Sequence, residues 1–262
     1  MIIRDGQVYV SLTSIFKNQD ILQQTLQSIV KQTKQPNKIF LYLSEDPYIL
    51  DEGFKDKKIT NPNLLKLIND NAIIHINWVK NTGPYRKLLP LLKEKWEEDC
   101  IIITIDDDTI YDDYLIENLV NDYYKHKCVV SYRGFTPLFD ELENFDYGQR
   151  CEQENLSCEQ QLSLYNFPTG VGGILYKPEF FHKTEKLVFE NEIYLNTCDK
   201  QDDIWFYTVR ICNNVNCYLG KKPFHKKDLS FGGLYAHFNS GNANTVALKK
   251  TIQKLKELNY QF

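Results

Sequence analysis

The sequence predicts an α/β fold, a mostly parallel sheet flanked by helices. Three observations point there: short β-branched runs alternating with helical stripes over the first hundred residues, a run of pure isoleucine and threonine that suits a strand buried on both faces, and a glycine and proline break after nearly every run. The first run is Val8-Tyr-Val-Ser-Leu-Thr-Ser-Ile15, read as a buried opening strand. Ile21, Leu22, Thr25, Leu26, Ile29 and Val30 then recur at helical spacing, and Pro36 stops the helix. Residues 38–43 read as a second strand, and Asp46-Pro47 opens a polar loop. Ile74, Ile76 and Trp78 alternate as a third strand, broken by Asn81-Thr-Gly-Pro84. A helix from Tyr85 to Glu97, kinked at Pro90, and a central strand at 101–105 complete the first half.

The second half is less regular. Leu115, Leu119 and Tyr123 predict a helix and 128–132 a strand. Residues 134–165 form a long polar excursion, an acceptor lid or a plain insertion. Gly170-Val-Gly-Gly173 marks a tight backbone site, 199–212 a helix, and Val246–Leu258 a basic amphipathic helix. No repeat or linker appears, so residues 1–262 are read as one domain of two fused halves, 1–110 and 111–262.

The chain has 262 residues, with 31 Lys and Arg against 35 Asp and Glu, for a formal net charge of −4. That balance argues against nucleic acid as a partner, while leaving room for a local basic pocket. No apolar run approaches the length of a membrane span. The N-terminus lacks a basic region followed by a long apolar run, and the seven cysteines form no CxxC pair. Reduced thiols and a cytoplasmic chain are therefore expected.

The strongest chemical signal is Asp106-Asp107-Asp108, directly after the central strand. Three adjacent carboxylates repel one another, and ligands of open α/β sheets bind outside the carboxyl ends of the strands. A hard divalent cation, Mn²⁺ or Mg²⁺, would relieve the repulsion, with Asp106 and Asp108 on one side of the extended chain. A solvated acidic turn is the alternative. An apolar strand ending in Asp-x-Asp mid-chain resembles the metal site of GT-A glycosyltransferases. The opening run with Thr13 and Ser14, its helix, and Pro36-Asn-Lys-Ile-Phe-Leu41 resemble the first βαβ unit of family 2-type members. The triplet and Gly170-Val-Gly-Gly173 are also similar to exostosin-like members.

The resemblance spans roughly residues 8–210 and implies a GT-A (Rossmann-like) fold and a nucleotide-sugar donor, UDP-linked by preference. It implies a glycan or glycolipid acceptor and polysaccharide biosynthesis. Thr13, Ser14, Asp106 and Asp107 would then contact the nucleotide. Lys80, Gly83, Arg86 and Lys87 supply positive charge and close backbone approach near a helix start, suited to the diphosphate; an ordinary turn is the alternative. Gly172 and Gly173 would lie beneath the donor sugar and Trp205 against a sugar face, with a structural turn and core packing as the rival readings. Asp202 and Asp203 open a helix, where the dipole alone favours carboxylates. In function, Asp203 would take the acceptor proton as general base, with inversion preferred over retention, and Asp202 would bind hydroxyls. His237 is a candidate further metal ligand, ahead of His225; Lys226 and Lys227 could reach the diphosphate. The C-terminal basic helix offers a peripheral contact at the inner face of a membrane, against packing on the domain. Two other classes compete: a haloacid-dehalogenase-type phosphatase, whose Asp-x-Asp normally lies near the chain start, and a non-catalytic nucleotide-sugar-binding protein.

Overall fold

The computed structural model describes residues 6–136, 147, 161–229, 233, 237–238 and 241–261. Most of the polar excursion, with Cys151 and Cys158, lies outside the described residues. The strands are β1 (Gln7–Thr13), β2 (Lys38–Leu43), β3 (Ile74–Trp78), β4 (Cys100–Thr104), β5 (Thr109–Tyr111), β6 (Val129–Ser131), β7 (Gly134–Phe135), β8 (Gln161–Ser163), β9 (Phe167–Pro168), β10 (Ile174–Tyr176), β11 (Cys217–Leu219) and β12 (His225–Asp228). Eight of them form one sheet in the order β3-β2-β1-β4-β10-β6-β11-β8.

The first four strands run parallel, with Val10 level with Ile39 on one side and Ile103 on the other. All five residues of β4 are buried, as a β-branched run without polar alternation requires of a central strand. β10 then runs antiparallel to both β4 and β6. A strand leaves the sheet where its parallel neighbours leave and where an antiparallel neighbour enters. The loop before β10 therefore meets the loop after β4 at one sheet edge. β5 and β12 form a separate antiparallel pair next to that edge, and β7 with β9 another.

Helix α1 (Gln19–Ile29) buries Leu22, Thr25, Leu26 and Ile29, the stripe expected from the sequence. Helix α2 (Pro62–Asp70), missed in the polar loop, carries its own start signal: the Asn61 side chain accepts the Leu64 N–H at 2.8 Å, and Pro62 opens the helix. The expected helix from Tyr85 to Glu97 is two pieces, a 3₁₀ turn at Gly83–Lys87 and α3 (Leu89–Glu94). Pro90 opens α3 rather than kinking a longer helix, because a first-turn residue needs no amide donor. Helix α4 (Leu115–His126) packs on β6 and β10 and ends at Lys127, whose φ of 53° is the left-handed stop.

The tail helix runs Ala243–Glu257. Its Ala247, Leu248, Thr251, Ile252 and Leu255 are buried, and it packs on the helices Asn191–Thr197 and Asp202–Cys212. Of the two readings of this helix, packing of its apolar stripe on the domain is the one the structure shows. No helix among the described residues is long and apolar enough to cross a membrane. The five described cysteines are free thiols, four of them buried.

Candidate functional site

The Asp triplet follows β4 at the shared sheet edge. The repulsion between its carboxylates is met by fanning them apart. Asp106 takes an ion pair from Lys87 at 2.9 Å, and its N–H donates to the Tyr111 hydroxyl at 2.9 Å. Asp107 turns inward, accepting from the Ser14 hydroxyl and from Asn18 Nδ2 at 3.2 Å. The Asp107 carbonyl accepts from Thr25 Oγ1 at 2.8 Å, fastening the triplet to α1. Burial raises the Asp107 carboxyl against the pull of those hydrogen bonds. Asp108 projects toward the β5–β12 pair. Burial, then the charges of Asp106, Asp107 and Asp228, push its carboxyl up to about 8. Asp106 and Asp108, expected side by side, therefore have different neighbours.

Lys87 is the hub. Its ammonium pairs with Asp106 at 2.9 Å and with Asp202 at 3.0 Å, and both Lys87 and Asp202 side chains are 9% exposed. Burial lowers the Lys87 pKa, but Asp106, Asp202 and Asp203 together outweigh it and hold the ammonium charged. The sequence assigned Lys87 to a donor phosphate; the structure gives its charge to carboxylates of both halves. Gly170 leaves room for this: a Cβ there would fall 2.7 Å from Lys87 Nζ and 2.9 Å from Asp106 Oδ1.

The helix Asp202–Cys212 presents both its opening carboxylates to the same place. Asp203 Oδ2 accepts the Gly170 N–H at 3.0 Å. Burial raises the Asp203 carboxyl to about 7; Lys87 and the Gly170 N–H work against it, while Asp202 and Asp106 add to it. Asp202 is raised by burial in the same way.

On the other flank, Arg86 is buried at 1% exposure and pairs with Asp51 at 3.0 Å, while its Nε donates to the Gly83 carbonyl at 3.1 Å. Asp51 also accepts from the Phe16 N–H at 3.1 Å and from Asn81 at 3.0 Å. It closes a tight turn with Tyr48 through two 2.9 Å backbone hydrogen bonds, with Ile49 at a φ of 56° between them. Gly83, at a φ of 64°, lies under this turn.

These groups border one cavity of about 520 Å³. Of the residues singled out in the sequence, Thr13, Ser14, Gly83, Arg86, Lys87, the Asp triplet, Asp202 and Asp203 line it. Five do not. Lys80 is exposed outside it. Gly172 backs onto Arg133, where a Cβ would fall 2.6 Å from the Arg133 backbone nitrogen, and Gly173 faces Leu115 and Leu119. Trp205 is fully buried, donates to the Val188 carbonyl at 3.1 Å and packs on Tyr194, so it is a core residue and not a sugar platform. His237 is exposed and away from the cavity lining. His225 is exposed on β12 and stacks on Phe224, and Lys226 pairs with Asp113 at 2.5 Å.

Sequence reasoning missed Asp51, Arg133, Asp228 and Asn244, which also line the cavity. None of them belongs to a motif that marks it out, and only the fold brings each to the edge.

No protein-family model matches this sequence, and no curated protein does. Solved structures do match. A crystal structure of residues 1–349 of S. aureus TarS superposes with a TM-score of 0.52 at 12% identity, covering 96% of this chain and 72% of that one. The same fragment in complex with UDP gives the same values. In complex with UDP-GlcNAc it gives 0.53 at 10% identity, covering 96% and 73%. At these identities the likeness speaks for architecture, and the architecture is a GT-A-like α/β fold of the kind TarS has.

Proposed function

We propose that the chain is a glycosyltransferase that moves a sugar from a nucleotide-sugar donor, a UDP-sugar by preference, to a glycan or glycolipid acceptor. One observation carries the reading. A single cavity joins a carboxylate triplet at the exit of a central parallel strand to a buried carboxyl poised near neutrality, Asp203. The same sheet architecture in TarS accommodates UDP and UDP-GlcNAc.

The residues fit a hard divalent cation. Among the described residues no three His, Cys, Asp or Glu side chains converge as a metal cage. Mg²⁺ typically needs only one or two carboxylates beside substrate phosphates. Asp108, surrounded by other carboxylates and lacking Asp106's lysine, is the residue best suited to hold it, with Asp106 beside it. When bound there, such a cation supplies Lewis-acid stabilisation of the departing nucleoside diphosphate.

The rest of the chemistry belongs to this chain. Asp203 takes the acceptor hydroxyl proton, and the Gly170 N–H fixes its orientation. Lys87 holds Asp202 and Asp106 at a set separation, so acceptor-side and donor-side groups keep register. The Arg86–Asp51 pair and the turn at Tyr48 wall the flank where the nucleoside would lie. A carboxylate base facing the acceptor supports inversion.

Calorimetric titration of UDP and GDP with Mn²⁺, then with EDTA, tests the reading. Metal-dependent binding of UDP, lost in Asp108→Ala, is expected. A folded protein that binds neither nucleotide would overturn it.

A further inference from the structure

Moving along the sheet from β3 to β6, the cavity passes from the Arg86–Asp51 flank, through the Asp triplet, to a far wall that the donor chemistry above leaves unused. Arg133 stands there, two residues after the end of β6. Its Nη1 donates to Thr169 Oγ1 at 2.8 Å, and the Thr169 N–H donates to the Arg133 carbonyl at 3.0 Å. Thr169 precedes Gly170, whose amide holds the Asp203 carboxylate. Arg133 is thus tied to the loop that positions the proposed base. Two other cations of the lining are already engaged by carboxylates, Arg86 by Asp51 and Lys87 by Asp106 and Asp202. Among the described residues no carboxylate pairs with Arg133.

The second wall is the start of the fifteen-residue helix Ala243–Glu257, whose cap residue Asn242 makes no side-chain capping hydrogen bond. The positive end of the helix dipole is therefore not offset by its own cap. Asn244, in its first turn, lines the cavity and is 5% exposed, yet its side-chain oxygen is buried without a hydrogen-bond partner. A buried polar atom left unpaired is costly, so its persistence at a cavity wall marks a place for a ligand group. The neighbouring Thr245 is not available in the same way: its hydroxyl oxygen accepts the Tyr147 N–H at 2.8 Å.

We propose that Arg133 and the first turn of the helix Ala243–Glu257 form a subsite for an anionic group, a phosphate or a carboxylate, carried by the acceptor, with Asn244 taking a hydroxyl beside it. This rests on the reading of the cavity as a nucleotide-sugar site. The guanidinium binds the anion through its free donors, the helix start adds a fixed positive potential, and the Asn244 oxygen accepts from the adjacent hydroxyl. The acceptor is thereby held on the Asp203 side of the triplet, away from the nucleoside flank.

The test uses the full chain saturated with UDP and Mn²⁺, so that UDP binding is read first and separately. Methyl β-glucoside, methyl β-glucuronide and glucose 6-phosphate are then titrated by ligand-observed NMR. At least one charged probe should bind tenfold or more tightly than the neutral glucoside, and which one does so tells carboxylate from phosphate. Arg133→Gln should abolish that preference while UDP affinity stays within twofold; Arg133→Lys, which keeps the charge, should retain part of it. Asn244→Ala should weaken all three probes. Charged probes that bind no better than the glucoside, or a preference that survives Arg133→Gln, would overturn the subsite. Failure of UDP to bind would strike the function reading instead.

Discussion

At the scale of single residues, the site is governed by how few of its charges face water. Lys87 is the clearest case, one ammonium shared by two carboxylates from different halves of the chain. Removing it strands buried Asp202 beside Asp106 and Asp203. Breaking a buried pair from one side typically costs about 3–5 kcal/mol. Lys87→Met should therefore lower the urea midpoint by a corresponding amount, and Lys87→Met/Asp202→Asn should recover part of the loss. A midpoint unchanged in the single variant would mean the lysine is not the tie described.

On the proposed reading, Asp203 would carry the pH dependence of the reaction. A general base must be unprotonated, and burial places this carboxyl at about 7. Donor turnover at saturating metal should rise as pH passes through about 7 and then level. Asp203→Asn should abolish turnover while UDP affinity persists. A rate flat from pH 5 to 8 would exclude Asp203 from the rate-determining proton transfer.

At the scale of elements, the first half was legible because its runs carry strong, separate signals. Strands β1 to β4 and helix α1 fell where β-branched runs and the 3.6-residue stripe placed them. The second half resisted. β6 fell inside the strand read at 128–132, but β8 and β11 are three residues each, too short for alternation to declare itself, and they are held by neighbours rather than by their own pattern. In the site, the triplet and the Asp202-Asp203 pair were readable because carboxylates in sequence are conspicuous. Arg133 and Asn244 were not, since only the antiparallel entry of β10 and the docking of the tail helix bring them there. Trp205 and His237 misled for the opposite reason: their side-chain chemistry suggested a ligand, while packing sent one to the core and the other to the surface.

The tail helix shows the same lesson energetically. Its stripe of Leu248, Ile252 and Leu255 is identical in pattern to a membrane-binding face, but each side chain is already buried against the domain. Leu255→Ala should therefore cost about 2–5 kcal/mol of folding stability. A change below about 0.5 kcal/mol in denaturant melts would mean the helix is not docked as described.

At the scale of the whole molecule, the carboxylates make stability depend on pH and on metal. Asp108 and Asp203 have folded pKa values raised to about 8 and about 7, above the ordinary carboxylate range. The folded state thus binds more protons than the unfolded one between roughly pH 4 and 8, and stability must fall as pH rises through that window. In metal-free buffer the melting temperature should drop from pH 5 to 8 on this account. Mn²⁺ should restore more of it at pH 8 than at pH 5, because only the ionised carboxylate favours the cation. Equal Mn²⁺ stabilisation at both pH values would remove Asp108 from the metal reading.

The reversal of β10 has one more consequence. By letting incoming and outgoing chain share an edge, it gathers the residues of the candidate site at one end of the sheet. The opposite end holds turns such as the exposed Ala72 between α2 and β3, which lies outside the cavity lining. A dye, an affinity handle or a surface tether attached at Ala72 would report on the working edge from a distance without disturbing it.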